Sequence, residues 1–187
     1  NIFVLDYEQE LCAQYHCDKH VVKMIVEYAQ LLSTAHRLRD GEMQVVEYTT
    51  KTGKKRKKKV WVLSDLREKI LYKATHVNHP SAVWARASLR NYQWLSCLLG
   101  WLCKEYTNRY GKIHKVQASG LMDRLYRHPK FFNKTGAPIN MTLFPQAMPE
   151  EYQREDAVDA YRAFYIGSKS RFAKWAKLNN TPEWYTA

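Results

Sequence analysis

The stretch from Glu8 to Leu38 constrains the fold most, because apolar residues recur along it at helical spacing. This periodicity predicts one long helix that packs one side against a core, with Asp6 as its N-cap. His36 falls on that apolar side and is expected to be a hydrogen-bonded core residue. The apolar set is Leu11, Val21, Val22, Ile25, Val26, Ala29 and Leu32.

The opposite side of the predicted helix carries polar residues that follow the i, i+3, i+4 rule and therefore line one face. An ordinary solvated face would hold mainly Glu and Lys, whereas this one holds histidines, a thiol, an amine, a carboxylate and amides. The pattern predicts a functional site. The alternative is a polar surface that packs against loops or a partner and does no chemistry. The set is Gln9, Cys12, His16, His20, Lys23, Glu27, Gln30 and Thr34.

Two kinds of chemistry compete for this row. The thiol and imidazoles of Cys12, His16 and His20, with His76 or His79, are ligand types that Zn²⁺ accepts. Lys23 beside them opposes a cation, so we expect neither a metal nor another cofactor.

The second chemistry uses an amine. Lys23 or the amino group of Asn1 would attack an electrophilic carbon once burial lowers its pKa. Glu27 or Asp18 would stabilise developing positive charge or move a proton. His16 and His20 would donate protons to a leaving base.

A second feature is the run KTGKKRKKK, which lies between two β-leaning segments, Met43–Thr50 and Val60–Leu63. It predicts a hairpin with a basic tip. The net charge of the chain is +12, and it falls to +5 without the seven basic residues of this run. Dense like charge favours a polyanion, so we expect a clamp on a nucleic-acid backbone; a solvated loop is the alternative. The expected contacts are Lys54, Lys55, Arg56, Lys57, Lys58 and Lys59.

The remaining periodic segments predict a mainly α, compact single domain spanning 1–187, with the hairpin at 42–63 as an insertion. Helices are expected over Ser64–Ala74, Ser81–Tyr110, Ile113–Tyr126 and Asp156–Leu178, with a loop over His128–Met148. Further phosphate contacts are expected from Arg86, Arg90 and Lys174. Trp184 and Tyr185 are expected to stack on a base or to wedge a duplex open.

The four cysteines lack the spacing of a disulfide framework, which favours a reduced, intracellular setting. The sequence shows neither a signal-peptide pattern nor an apolar run of membrane-spanning length. We therefore expect a monomer without a membrane partner, in the cytoplasm of a cell that hosts a virus or phage.

Three stretches together resemble the phage pyrimidine-dimer DNA glycosylases with AP-lyase activity, often called endonuclease V. They are ELCAQYH (Glu10–His16), the segment from Asn78 to Gly111 with its His-Pro opening and Trp-x-Arg, and the closing Pro-x-Trp-Tyr (Pro182–Tyr185). The chain also resembles a group of phage and large-DNA-virus proteins that share the HCDKH core (His16–His20) and the AMP segment (Ala147–Pro149).

The resemblance implies a helical enzyme of base excision or DNA repair, in which the N-terminal amine forms a Schiff base with the sugar. The amine maps onto Asn1. The essential glutamate of the family maps near Lys23, so either Glu27 takes its role one turn later or Lys23 changes the chemistry. Two other functions stay open: a non-catalytic protein that binds DNA, RNA or a ribonucleoprotein, and a metal-dependent nuclease or hydrolase.

Overall fold

Helices dominate the computed structural model, which describes residues 1–186, and two strands form a single antiparallel hairpin within that range. The expected mainly α, compact fold with a small basic hairpin is therefore confirmed. The elements are α1 (Gln9–Tyr15), α2 (Asp18–Asp40), β1 (Glu42–Thr49), β2 (Lys55–Val62), α3 (Arg67–Ile70), α4 (Pro80–Ala85), α5 (Leu89–Tyr110), α6 (Lys115–Ala118), α7 (Leu121–Leu125) and α8 (Ala157–Phe164). Short 3-10 turns lie at Lys130–Asn133 and Glu150–Tyr152, and a π-helical turn, Tyr165–Lys169, follows α8.

The single long helix expected over Glu8–Leu38 is wrong, because His16 and Cys17 are extended and separate α1 from α2. The buried guanidinium of Arg109 stabilises this break. It donates to the carbonyls of Gln14 and His16, each at 2.8 Å, and pairs with Asp18 at the start of α2. Free carbonyls at the end of a helix need such donors. Asp6 is not the N-cap; that position belongs to Glu8.

The helix expected over Ser81–Tyr110 is also two helices. Pro80 occupies the first turn of α4, as predicted, and Ser88 caps α5 by accepting from the backbone N–H of Asn91. α5 ends at Gly111, whose φ of 63° is the left-handed conformation that glycine adopts without strain.

Three other predicted helices are shorter than expected. Ser64–Ala74 is helical only at Arg67–Ile70, and Gly120 divides Ile113–Tyr126 into α6 and α7. The last helix begins directly after Asp156, which caps it by accepting from the N–H groups of Val158 and Asp159. It leaves α-helical geometry at Tyr165 instead of continuing to Leu178.

The core lies where α2 packs against α5, and the N-terminal segment Ile2–Leu5 runs through it as a buried, extended chain. His36 lies in this core, bonded to the hydroxyl of Tyr92 and to Arg67, as expected. Val22 is the exception on the predicted apolar side of α2, since its side chain is exposed.

The hairpin leaves the helical body at the end of α2, and the buried side chain of Arg37 anchors its base. The guanidinium donates to the carbonyls of Trp61, Tyr72, Leu71 and Glu68 and also pairs with the Glu68 carboxylate at 2.6 Å. One side chain therefore connects α2, β2 and the segment that follows the hairpin.

All four cysteines lie within the described residues and carry free thiols. None of the helices among residues 1–186 is both long and apolar enough to cross a bilayer.

Candidate active site

Hydrogen bonds hold the first residues of the chain in a fixed position. The side-chain amide of Asn1 donates to the Ala147 carbonyl at 2.8 Å. The next two backbone N–H groups donate to Ser81 Oγ at 3.3 Å and to the Tyr28 hydroxyl at 3.0 Å. Since Ile2 to Leu5 are buried, the amino group of Asn1 cannot move independently of the core.

The carboxylate of Glu27, on α2, contacts two amines. Its Oε2 lies 3.7 Å from the amino nitrogen of Asn1, and its Oε1 lies 3.0 Å from Nζ of Lys23, one turn earlier. Burial lowers the pKa of the Asn1 amino group below its usual value near 8, and the Glu27 carboxylate offsets part of that shift. The Lys23 side chain is 62% exposed, whereas the Asn1 side chain is 21% exposed.

Asn1 and Glu27 line a cavity of about 240 Å³ together with Gln30, Leu31, Thr75, His76 and His79. The backbone N–H of Ser81 donates to Nδ1 of His79, which therefore carries its proton on Nε2. Burial lowers the pKa of His79, and the nearby Asn1 amino group adds to that effect, so the imidazole is neutral at pH 7. The cavity thus combines an amine, a carboxylate and a neutral imidazole.

The backbone of His76, in the wall of this cavity, is strained: its φ is +46°, a region that non-glycine residues rarely occupy. Its Nδ1 lies 2.8 Å from Oγ1 of Thr75. Thr34 on α2 holds the same loop through the backbone N–H and carbonyl of Thr75. Such strain, retained by surrounding contacts, is typical of functional sites.

A second concavity of about 450 Å³ is lined by Lys19, His20, Lys23, Arg171 and Phe172, and its Lys23 pairs with Glu27 of the first cavity. Lys19 and Arg171 both lie against the Phe172 ring, 4.9 and 5.9 Å from its centroid. Three exposed cations therefore surround one opening beside the Asn1–Glu27 pair.

The expected row of polar side chains is not one surface. His16 is fully buried: its Nδ1 donates to the Cys12 carbonyl at 2.6 Å, and its Nε2 accepts from the Tyr28 hydroxyl at 3.2 Å. Burial lowers its pKa to about 4. With both nitrogens engaged and no charge at pH 7, His16 is a core residue and cannot protonate a leaving base, which corrects its expected role.

His20 is buried but also lines the second concavity. Its Nδ1 is hydrogen-bonded to the Tyr165 hydroxyl, its ring stacks on Phe3 at 4.5 Å, and burial lowers its pKa to about 2. It lines the second concavity but is neutral at pH 7, so it does not act there as a charged acid.

Asp18 does not line either cavity; it is paired with Arg109 at 3.0 Å and serves the α1–α2 junction. Trp184 and Tyr185 also differ from expectation. The Trp184 ring contacts Tyr15 and Tyr165, with Arg162 5.2 Å from its centroid, and Tyr185 packs on Trp175 at 4.6 Å. Both rings anchor the C-terminal segment instead of projecting as a wedge.

The other expected phosphate contacts are dispersed. Arg86 is half-buried, and its backbone carbonyl accepts from Arg39, whereas Arg90 and Lys174 are exposed on separate elements. The basic residues of the hairpin are also exposed, but they lie mainly on strand β2 and not at a tip, which the turn Thr50–Lys54 forms. The strand boundary predicted at Val60 is therefore wrong.

Within residues 1–186, no group of three or more His, Cys, Asp or Glu side chains is arranged to hold a metal ion. Two side chains of the alternative zinc-ligand set have other partners, since the Cys12 thiol donates to the Phe3 carbonyl and His16 is engaged in the core.

No family model, curated protein or solved structure matches the chain.

The pairing of the Asn1 amine with Glu27 was one of the alternatives that the sequence allowed. The sequence predicts His79 only as a metal ligand, whereas its position directly before Pro80 is that of a helix cap. Lys19 and Arg171 have no sequence signal as a pair, because they come together only when the segment after α8 folds back on α2.

Proposed function

We propose that the chain is a base-excision enzyme of the DNA glycosylase and AP-lyase type, with its active site in the Glu27 cavity. The observation that carries the proposal is a carboxylate in the wall of a cavity, with the Asn1 amine 3.7 Å away in the same cavity and Nζ of Lys23 3.0 Å away beside it. Burial lowers the pKa of the Asn1 amine and so favours its neutral form, which is a nucleophile towards the C1′ carbon of a deoxyribose, and a carboxylate stabilises the positive charge that develops.

The amino group of Asn1 is the favoured nucleophile in a chain whose first residue is Asn1. Its pKa is lowered by burial, and its position is fixed by the hydrogen bonds of Asn1 and Ile2. Lys23 is mobile in comparison, since most of its side chain is exposed. Lys23 then serves to pair with Glu27 and to attract phosphate.

The proposed reaction runs through an iminium between the Asn1 amine and the sugar. The neutral amine forms a bond to C1′ while the bond from C1′ to the base breaks, and the departing base takes up a proton from water. Glu27 accepts the proton that the new ammonium group releases and passes it to O4′ as the sugar opens to the iminium. The regenerated carboxylate then takes a C2′ proton as the 3′ phosphate leaves, and water hydrolyses the resulting imine to free the amine. The Nε2–H of His79 is available as a hydrogen-bond donor to the sugar oxygen or the base.

The second concavity suits the phosphates on either side of the reacting nucleotide. Lys19, Lys23 and Arg171 are exposed cations at one opening, and phosphate contacts position a nucleic acid without reading its sequence.

Borohydride trapping on a duplex with a single abasic site tests the proposal. Intact mass first establishes which residue begins the chain in the preparation. We expect a covalent protein–DNA adduct whose peptide map places the linkage at the Asn1 amino group. The Lys23→Met variant should still be trapped, and acetylation of the Asn1 amine should abolish the adduct.

An adduct on Lys23 would transfer the nucleophile to that residue. The absence of any adduct, on abasic DNA and on duplexes with damaged or modified bases, would overturn the enzymatic proposal. A non-catalytic nucleic-acid-binding protein is then the second candidate, favoured by the basic hairpin, and its DNA affinity should persist in Glu27→Gln.

A further inference from the structure

The hairpin of residues 42–62, here called the basic arm, is exposed along most of its length. Its strands pair in register from Glu42 with Val62 to Thr49 with Lys55. Every residue from Lys51 to Lys59 is exposed, and of β1 only Val46 is half-buried. The arm therefore extends from the helical body with both of its faces open to solvent.

Cations occupy both faces of the arm. Successive residues of a strand point to opposite faces, and directly paired residues share one. Lys55, Lys57 and Lys59 thus lie on one face, and Arg56 and Lys58 lie on the other. The two carboxylates of the arm offset little of this charge, since Glu47 engages only Lys57, at 3.5 Å.

We propose that the basic arm lies lengthwise in the major groove of B-form duplex DNA. That groove is about 12 Å wide and admits a two-stranded ribbon. Both of its walls are lined with phosphates, which matches a ribbon with cations on both faces. A ribbon that lay across a single phosphate backbone would need them on one face only.

The same geometry selects among nucleic acids. The major groove of an A-form RNA duplex is too deep and narrow for protein side chains to read, and a single strand offers no groove with two walls. Two-stranded ribbons are strongly twisted, which allows them to follow the turn of a B-form groove. The arm therefore fits duplex DNA better than RNA or single strands.

The arm follows the C-terminal end of α2, whereas Glu27 lies near the middle of that helix. That helix rises about 20 Å between Glu27 and Asp40, and about six base pairs cover this length. One short duplex can therefore reach both regions. The inference rests on the proposed function for its nucleic-acid partner, but it does not require any chemistry at Glu27.

Titration of an undamaged duplex of about 20 base pairs with the full chain tests the inference, because this binding assay involves no catalysis. Two double variants each remove two charges, Lys55→Gln with Lys59→Gln from one face and Arg56→Gln with Lys58→Gln from the other. The matched control is Lys112→Gln with Lys115→Gln, which removes two exposed charges elsewhere. Each arm variant should lose about 10- to 100-fold in affinity near 0.1 M salt, and the slope of log affinity against log salt should fall by about 1.8.

Blocking the major groove and the minor groove of the duplex separately shows which of the two the arm occupies. Bulky substituents on the 5-position of the pyrimidines fill the major groove. They should weaken binding of the unaltered chain until its affinity equals that of the arm variants. A ligand that occupies the minor groove should leave the difference in affinity between the unaltered chain and the arm variants unchanged. The inference would be overturned if blocking the minor groove, and not the major groove, removed the affinity difference. It would also be overturned if the arm variants lost as much affinity for A-form RNA, or if they bound duplex DNA like the control.

The outcomes separate the two proposals. If arm-dependent duplex binding is found but no trapped adduct forms, the enzymatic proposal fails and the arm inference stands. If the adduct forms and the arm variants bind like the control, the arm inference fails alone.

Discussion

The amino nitrogen of Asn1 lies 3.7 Å from the carboxylate of Glu27, although the two residues belong to separate parts of the chain. The buried segment Ile2–Leu5 fixes the position of Asn1, and the third turn of α2 carries Glu27. A carboxylate so placed stabilises positive charge on the amine and accepts its proton.

Replacement of Glu27 by Gln should reduce the rate of adduct formation with abasic DNA by at least about 100-fold, the usual lower range for a proton-transfer group. The fold should be retained, since the carboxylate is partly exposed and belongs to no core contact. Single-turnover trapping measures the rate. Glu47→Gln, on the basic arm, is the matched control, and a similar loss in both variants would refute a specific role for Glu27.

The trapping rate should rise with pH and level off below pH 8. Only the neutral amine attacks, and burial lowers the pKa of the Asn1 amino group from its usual value near 8, so the midpoint of the pH profile should lie below 8. Since Glu27 raises this pKa, Glu27→Gln should shift the midpoint to lower pH while reducing the plateau. A midpoint above 8 in the unaltered chain would contradict the placement of the amine.

Acidification should destabilise the fold between pH 6.5 and pH 5. Burial lowers the pKa of His16 and His36 to about 4 and that of His20 to about 2, so the folded chain keeps them neutral while the unfolded chain takes up protons. Stability is therefore highest above pH 6.5 and declines below it, by on the order of 2 kcal/mol for each histidine at pH 5. Urea unfolding at pH 7.5 and pH 5 measures the difference.

Between pH 6.5 and pH 5, the change in unfolding free energy should come from the histidines and not from a paired carboxylate such as Glu68. Glu68 is paired with Arg37 and Lys73, and the pKa of its carboxyl is lowered to about 2, so its contribution is lost only below the ordinary glutamate range. An unfolding free energy that stays constant from pH 7.5 to pH 5 would mean that these imidazoles are not buried in their neutral form.

Replacement of Arg37 by Lys should cost about 3 kcal/mol or more of unfolding free energy. The fully buried guanidinium satisfies four backbone carbonyls and one carboxylate, and an ammonium group cannot reach all of them. Denaturant unfolding measures the loss. Arg171→Lys, at an exposed position, should change stability by less than about 0.5 kcal/mol.

Replacement of glycine by Ala should change the unfolding free energy in opposite directions at two positions. A Cβ at Gly41 would lie 2.5 Å from the carbonyl oxygen of Arg37, so Gly41→Ala should cost about 1–3 kcal/mol. A Cβ at Gly100, inside α5, meets no neighbouring atom within 4 Å, so Gly100→Ala should add about 0.5–1 kcal/mol. Shifts of the urea midpoint measure both, and equal effects of the same sign would contradict these two environments.

The sequence predicts the fold class and several local features because these depend on short-range patterns. The last helix begins directly after Asp156 and α5 ends at Tyr110, close to the predicted boundaries, and Pro80 opens α4. The division of the first helix was not predictable, since it depends on Arg109, a side chain that reaches the α1–α2 junction from another helix.

The candidate site was predicted only in part for the same reason. Helical spacing placed Lys23 and Glu27 together, but it also placed His16 on their face, because it could not detect the extended residues that redirect that side chain into the core. The roles of His79 and Arg171 depend on contacts between distant segments.

The pairing of Glu42 with Val62 brings the two ends of the basic arm together where it leaves the body, and Arg37 holds that junction from below. The half-buried residues Val60–Val62 belong to this junction, since Arg37 binds the Trp61 carbonyl, whereas residues 51–59 are exposed. The outer part of the arm is therefore a replaceable module: we expect that it can be shortened to a tight turn or cut by a protease while the helical body keeps its contacts. The DNA recognition proposed for the arm would then depend on a different stretch of sequence from the stability of the body.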